Sequence, residues 1–359
     1  MKKVRFVFEM PRNSDYVGGI AVILNQYLKS REAFANNDCL IDIIDLSDKK
    51  RSGNKLVNII NVFKETLYAK NKVRELDSKD VIHMHTSREW TLLKDMYIAK
   101  SMRKVFGGKM VLSIHFADVD KILYSNPILR RYQITTMKNT FDSIIFLSEH
   151  TRNEFISNGL RKEQTEILYT FHNFSYSNVS FYPKDIIELL FVGSIDKRKG
   201  ICDLLESLER INSENVMLHV CGQFTDESVK KEFYEYQQKL GSRLVFHGYV
   251  SGEEKREIFR NSDILVLPSY GEGMPIVIME AMASGCAIVS TKVGAIPEVI
   301  KERNGILHEP GDVSALSTAL MKLIENKELL SEIKQTNYRE SSVYSLDNNI
   351  RELCKIYLR

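Results

Sequence analysis

Residues 264–285 read ILVLPSYGEGMPIVIMEAMASG. Four apolar residues, Ile264–Leu267, form a short run of buried-strand character. Pro268 to Gly273 then break it with two glycines, Gly271 and Gly273. Pro275 stands at a favourable first-turn position, and Ile276 onward carries the small and apolar residues of a packed helix. Strand, glycine turn and helix in that order form the unit from which doubly wound parallel sheets are built. Backbone N–H groups from Gly273 through Met274 and Pro275 to Ile276 sit where a helix N-terminus leaves donors for an anion or for sugar hydroxyls (the proline itself has no N–H). Glu272 precedes the helix and Glu280 lies a little over one turn into it; each carboxylate can accept hydrogen bonds from vicinal hydroxyls.

The rest of the chain repeats the pattern. Apolar runs at 4–8, 41–46, 81–85, 110–115 and 143–147 alternate with helical periodicity in the first half. Those at 187–192, 216–220, 244–247 and 287–290 do the same in the second. The chain has 359 residues, the length of about two domains. The polar and aromatic stretch 173–184 is the natural linker. Residues 1–178 are therefore expected to form one Rossmann-like domain and 179–343 another, with an amphipathic helix at 344–359 packing back on the first. The charge is uneven: residues 1–180 hold 28 Lys and Arg against 20 Asp and Glu, and the remainder 22 against 27. The two halves thus suit different partners.

Several classes are excluded. No apolar run approaches the length of a membrane span, and the N-terminus turns polar too soon for a secretory signal. Five scattered cysteines without a C-x-x-C pair fit a reducing compartment, so a cytoplasmic protein is expected. There is no P-loop or G-x-G-x-x-G fingerprint, and no nucleic-acid recognition motif.

In its second half the chain resembles glycosyltransferase family 4, a retaining family with the GT-B fold, through Glu272-x7-Glu280. Residues 191–200 (FVGSIDKRKG) resemble its diphosphate-binding strand and loop, and residues 293–300 (VGAIPEVI), Asn304-Gly305 and Pro310-Gly311-Asp312 its later signatures. In the first half, 15–20 (DYVGGI) is similar to its N-terminal glycine loop. The resemblance implies two Rossmann-like domains facing across a cleft, with the nucleotide sugar held by the C-terminal domain and the acceptor by the N-terminal one. Glu280 would then hold the ribose hydroxyls, Glu272 would touch the donor sugar, and Lys199 would neutralise the diphosphate. Arg198, with Gly18 and Gly19, would assist, since glycine lets backbone approach a phosphate closely. His115 resembles the family's active-site histidine. No metal or other cofactor is implied; a UDP-sugar or GDP-sugar is the substrate. The family commonly has Arg where this chain has Ser194, and a neutral hydroxyl replaces a fixed cation there. A non-catalytic nucleotide-sugar-binding partner, or a GT-B epimerase, is the alternative.

Other features read more modestly. His83 and His85 alternate in a strand and share a face; His83 reads as structural, and His85, at the strand end, as a residue that can line a cleft. Asp118 and Asp120 spell a D-x-D motif outside a metal-site context. Basic residues among apolar ones between Tyr97 and Lys138, including Arg130 and Arg131, suit either an anionic membrane surface or an amphipathic helix on a core. The resulting expectation is a retaining glycosyltransferase whose acceptor is a glycan or lipid-linked oligosaccharide of surface polysaccharide assembly, at the inner face of the membrane.

Overall fold

The structure is a computed structural model that describes residues 1–8, 19–46, 55–86, 89–115, 123, 126–176, 178–182, 184–211 and 213–359. The chain divides into two compact units, Met1–Tyr169 with Asp347–Arg359, and Thr170–Leu346.

In the first unit the order is β1 (Lys2–Phe8), α1 (Gly19–Lys29), α2 (Arg31–Ala35), β2 (Cys39–Asp45), α3 (Lys55–Val73), β3 (Val81–Thr86), α4 (Glu89–Arg103), β4 (Lys109–Ile114), α5 (Pro127–Thr140), β5 (Ser143–Phe146), α6 (Glu149–Ser157) and β6 (Thr165–Ile167). The six strands pair in parallel in the order β2-β1-β3-β4-β5-β6. Every residue of β3 is buried, as a strand covered on both faces requires. Asn126 starts α5 by accepting from the backbone N–H groups of Ile128 and Leu129, with Pro127 at the first turn.

The second unit runs β7 (Ile187–Val192), α7 (Ile201–Arg210), β8 (Val216–Cys221), α8 (Glu227–Leu240), β9 (Leu244–Gly248), α9 (Gly252–Asn261), β10 (Ile264–Leu267), α10 (Ile276–Ala283), β11 (Ala287–Thr291), α11 (Ile296–Val299), β12 (Gly305–His308), α12 (Val313–Glu325) and α13 (Lys327–Ser341). Its strands are also parallel, in the order β12-β11-β10-β7-β8-β9. A buried ion pair, Lys334 with Asp263, ties α13 beneath β10, and Asp263 also accepts from the Glu188 N–H.

The chain returns to the first unit through α14 (Leu346–Leu358). Asn349, Ile350, Leu353, Cys354, Ile356 and Tyr357 are its buried face. Asn349 accepts from the Tyr27 hydroxyl at 2.6 Å and donates to the Tyr169 carbonyl at 2.9 Å, while the Tyr357 hydroxyl meets His83 Nδ1 at 2.6 Å. The division between units falls at Tyr169/Thr170, whereas composition alone places it at 178/179. Residues 170–178 are already committed to the second unit: Thr170 donates to the Met274 carbonyl, the His172 N–H to that of Tyr344, and the Tyr176 hydroxyl to that of Arg256.

Candidate functional site

In the second unit the chain leaves β7 in one direction along the sheet, through β8 and β9, and returns to β10 on the other side of β7. The carboxyl ends of β7 and β10 therefore flank the topological switch point, where open parallel sheets bind ligands. The loop after β7 carries Ser194 to Gly200 and the loop after β10 carries Pro268 to Pro275, so the fold itself brings the two motifs together.

Their junction is tight. Gly200 has φ +71°, and a Cβ there would lie 2.1 Å from the Pro268 carbonyl oxygen. The Tyr270 N–H donates to the Arg198 carbonyl at 2.8 Å. Gly294 (φ +56°) passes so close that a Cβ would lie 2.1 Å from the Glu272 carbonyl oxygen. Only glycine satisfies both the dihedral and the space.

On this frame Lys199 Nζ meets Glu272 Oε1 at 2.5 Å, with side chains 13% and 9% exposed. The Arg198 guanidinium donates to the Gly271 carbonyl at 3.1 Å and lies 4.0 Å from Glu272. Asp196 organises the loop: it accepts from the Lys199 N–H at 2.9 Å, from Ser194 Oγ at 2.6 Å and from Thr225 Oγ1 at 3.2 Å. Ser194 thus supports the loop's own turn, and Arg198 stands as a second cation on the Glu272 rim. Tyr270 donates to Asp203 at 2.8 Å, and that bond pushes its phenol up to about 12.

Pro275 occupies the N-cap of α10, which begins at Ile276. Gly273 accepts from the Ala295 N–H, and Met274 is buried with its carbonyl held by Thr170. Glu280 is buried in α10; its Oε1 pairs with Lys255 Nζ at 2.7 Å, and its Oε2 has no partner among the described residues. The ensemble is a cationic and N–H-rich rim with two carboxylates, equipped for an anion joined to a polyol.

In the first unit His115 follows β4, its N–H bonded to the Thr86 carbonyl. Its Nε2 lies 2.7 Å from His85 Nδ1. His83 uses both ring nitrogens, Nδ1 with Tyr357 and Nε2 with Ser113 Oγ at 2.8 Å. Burial pulls the pKa of His83 down to about 3 and that of His115 to about 4, and holds His85 well below the usual range. All three are neutral imidazoles at pH 7. Gly19 begins α1. Gly18, Asp15, Asp118 and Asp120 lie outside the described residues. No cluster of three metal-ligating side chains occurs among the described residues.

Asp196, Lys255 and Tyr270 were not singled out from the sequence. Asp196, three residues before Lys199, carried a readable N-cap signal. The partnership of Lys255 with Glu280 joins different helices and had no local signature.

The two parallel six-stranded sheets define the GT-B fold. The chain superposes over its whole length on sucrose-phosphate synthase from Thermosynechococcus elongatus (TM-score 0.76, 18% identity, 98% of that chain). It likewise superposes on Anabaena HepE in complex with UDP-glucose (TM-score 0.73, 18% identity, 100% of this chain and 99% of that one). Residues 175–340 match the family Glycosyl transferases group 1. Among curated relatives, an uncharacterized glycosyltransferase of Methanocaldococcus jannaschii is 24% identical over 82% of this chain and 78% of its own length. The capsular polysaccharide biosynthesis glycosyltransferase CapM of Staphylococcus aureus is 29% identical over 52% of this chain and 53% of its own.

Proposed function

We propose that the chain is a retaining glycosyltransferase that moves a sugar from a nucleoside-diphosphate sugar to a hydroxyl of a glycan or lipid-linked oligosaccharide. The observation that carries this reading is the Lys199–Glu272 pair on a glycine-built junction at the switch point. The diphosphate takes Lys199 and Arg198 together with the N–H groups near the start of α10, which stabilise the charge of the leaving group. Glu272, freed from Lys199, accepts from donor-sugar hydroxyls, and the second oxygen of Glu280 accepts from the ribose. By the resemblance noted above, His115 contacts the sugar. The departing diphosphate takes the acceptor proton on the face it leaves, so no protein nucleophile and no resident metal is required.

Support for a glycan acceptor comes from CapM, which is named for capsular polysaccharide biosynthesis, and support for a nucleotide-sugar donor from HepE, which was crystallised with UDP-glucose. Support for an anionic membrane surface, at the cytoplasmic face, comes from the first unit. Helix α5 carries Arg130, Arg131 and Lys138 with no acidic residue, and exposes Ile128, Leu129 and Tyr132. No helix of the described residues is long and apolar enough to cross a membrane.

The test has three parts. UDP or GDP at about 100 times its dissociation constant should stabilise the protein by about 2.7 kcal/mol. Donor and acceptor together should yield a product with the donor's anomeric configuration, and turnover that survives both Glu272→Ala and Lys199→Ala defeats the assigned roles. Nucleotide-sugar binding with no transfer to any acceptor favours the non-catalytic partner. Charge reversal at Arg130 and Arg131 should abolish sedimentation with anionic vesicles; unchanged sedimentation removes the membrane reading.

A further inference from the structure

The histidine pair of the first unit contains a bonding puzzle with one economical solution. His85 and His115 come from adjacent parallel strands in register, His85 opposite Ser113, so that the residue after β4 lies beside the end of β3. Their rings are 22° from coplanar, with His85 Nδ1 and His115 Nε2 2.7 Å apart. Between two neutral imidazoles only one of those nitrogens carries a proton. His85 is 3% exposed, and its other nitrogen, Nε2, is buried with no partner among the described residues. If His115 Nε2–H were the donor, the single proton of His85 would sit on that Nε2, as a buried N–H with no acceptor among the described residues. If His85 Nδ1–H is the donor, only a bare lone pair is left unpaired. Orphaned buried N–H groups are the rarer defect in native structures. His83 and Phe6 pack the His85 ring, at centroid distances of 4.2 and 5.7 Å, and fix its plane.

We propose that His85 is a positioning residue that donates from Nδ1 to His115 Nε2 and thereby locks His115 in the tautomer protonated at Nδ1. His115 then presents its ligand with an N–H donor and has no basic nitrogen to offer. This goes beyond the contact assigned to His115 above and rests on that assignment only for its consequence. In a transfer reaction His115 holds a hydroxyl or phosphate oxygen by donation, and the acceptor proton goes elsewhere.

The experiment is a long-range ¹H–¹⁵N correlation spectrum of the full chain labelled with ¹⁵N-histidine, with resonances assigned through His85→Asn and His115→Gln. The expected spectrum shows pyrrole-type Nδ1 and pyridine-type Nε2 for both His85 and His115. A pyrrole-type Nε2 on His115 in the wild-type chain overturns the proposal. His85→Asn places an amide N–H where Nδ1 stood and should preserve the His115 tautomer. His85→Phe keeps the ring but removes the donor. It should release His115 to the other tautomer and lower kcat about ten-fold with KM little changed, the low end of what losing a histidine's orienting partner costs at metal sites. His85→Asn should recover most of that loss. Equal losses in both variants with an unchanged His115 spectrum also overturn it. Because the spectrum is read on the free protein, an expected tautomer in a chain that turns over no nucleotide sugar refutes the transferase reading and leaves this proposal standing.

Discussion

Replacing Lys199 by Met separates two jobs of one ammonium group. In the free protein Lys199 neutralises Glu272, whose side chain is only 9% exposed, across 2.5 Å. The variant leaves that carboxylate with Arg198 at 4.0 Å as its nearest cation. An exposed ion pair is worth about 0–1 kcal/mol and breaking a buried one costs about 3–5 kcal/mol, so a largely buried pair with a fallback cation falls near 2 kcal/mol. For a unit of about 150–250 residues that lowers Tm by about 4–8 °C. With nucleoside diphosphate present, the same variant loses a charge-assisted hydrogen bond of about 1.5–3 kcal/mol, or roughly 10- to 150-fold in Kd. The double variant Lys199→Met/Glu272→Gln distinguishes the two. Removing the stranded charge should restore most of the stability without restoring affinity. Calorimetric titration with UDP and GDP, beside denaturant unfolding, reads both quantities. If Lys199→Met binds the nucleotide as tightly as the wild type, or if the double variant regains affinity, the lysine does not hold the diphosphate.

Three further outcomes follow from the same structure. Gly200→Ala places a methyl against the Pro268 carbonyl at a positive φ and should cost about 1–3 kcal/mol, with weaker nucleotide binding because Lys199 precedes it; a Tm within 1 °C of wild type (roughly the precision of such scans) contradicts the close approach. Tyr357→Phe strands His83 Nδ1 in the core and should lower unfolding free energy by about 1–3 kcal/mol, read as a shift in denaturant midpoint. His83 and His85 have pKa values depressed by burial, that of His83 to about 3; the contribution of each to stability is complete above the unfolded value near 6.5 and is lost as pH falls below it, by about 2 kcal/mol at pH 5 for His83. His83→Asn should remove one proton's worth of that slope, and an unchanged slope between pH 7 and 5 counts against the buried neutral form.

Much of this architecture was legible because buried parallel strands announce themselves as apolar runs. The strand expected at 264–267 is β10 residue for residue, and that at 187–192 is β7. The two strands that escaped, Thr165–Ile167 and Gly305–His308, are three and four residues long and lie at the sheet edges, too short to show a period. Helices α12 and α13 were passed over although Asp312 and Asn326 cap them with side-chain bonds to Ala315 and Leu329. Within the site, proximity of Lys199 to Glu272 was implied by the order of strands. What stayed hidden was side-chain partnership across distant segments. Glu280 found Lys255, Ser194 turned inward to Asp196, and the two strand histidines took different partners: Tyr357, 274 residues away, for His83 and His115 for His85.

The return of α14 to the first unit has a consequence in time. On the ribosome the chain emerges from its N-terminus at about 5–20 residues per second, and domains generally fold as units in that order. Here the first unit to appear is the last to be finished. Its sheet strands are all made by Ile167, yet His83, Tyr27 and the Tyr169 carbonyl must await residues 349–357. Every residue of the second unit is translated in the interval. Completion of the first unit is thereby coupled to the synthesis of residues 349–357, and a chain cut short before Asn349 carries a fully translated group 1 segment beside an unsealed partner.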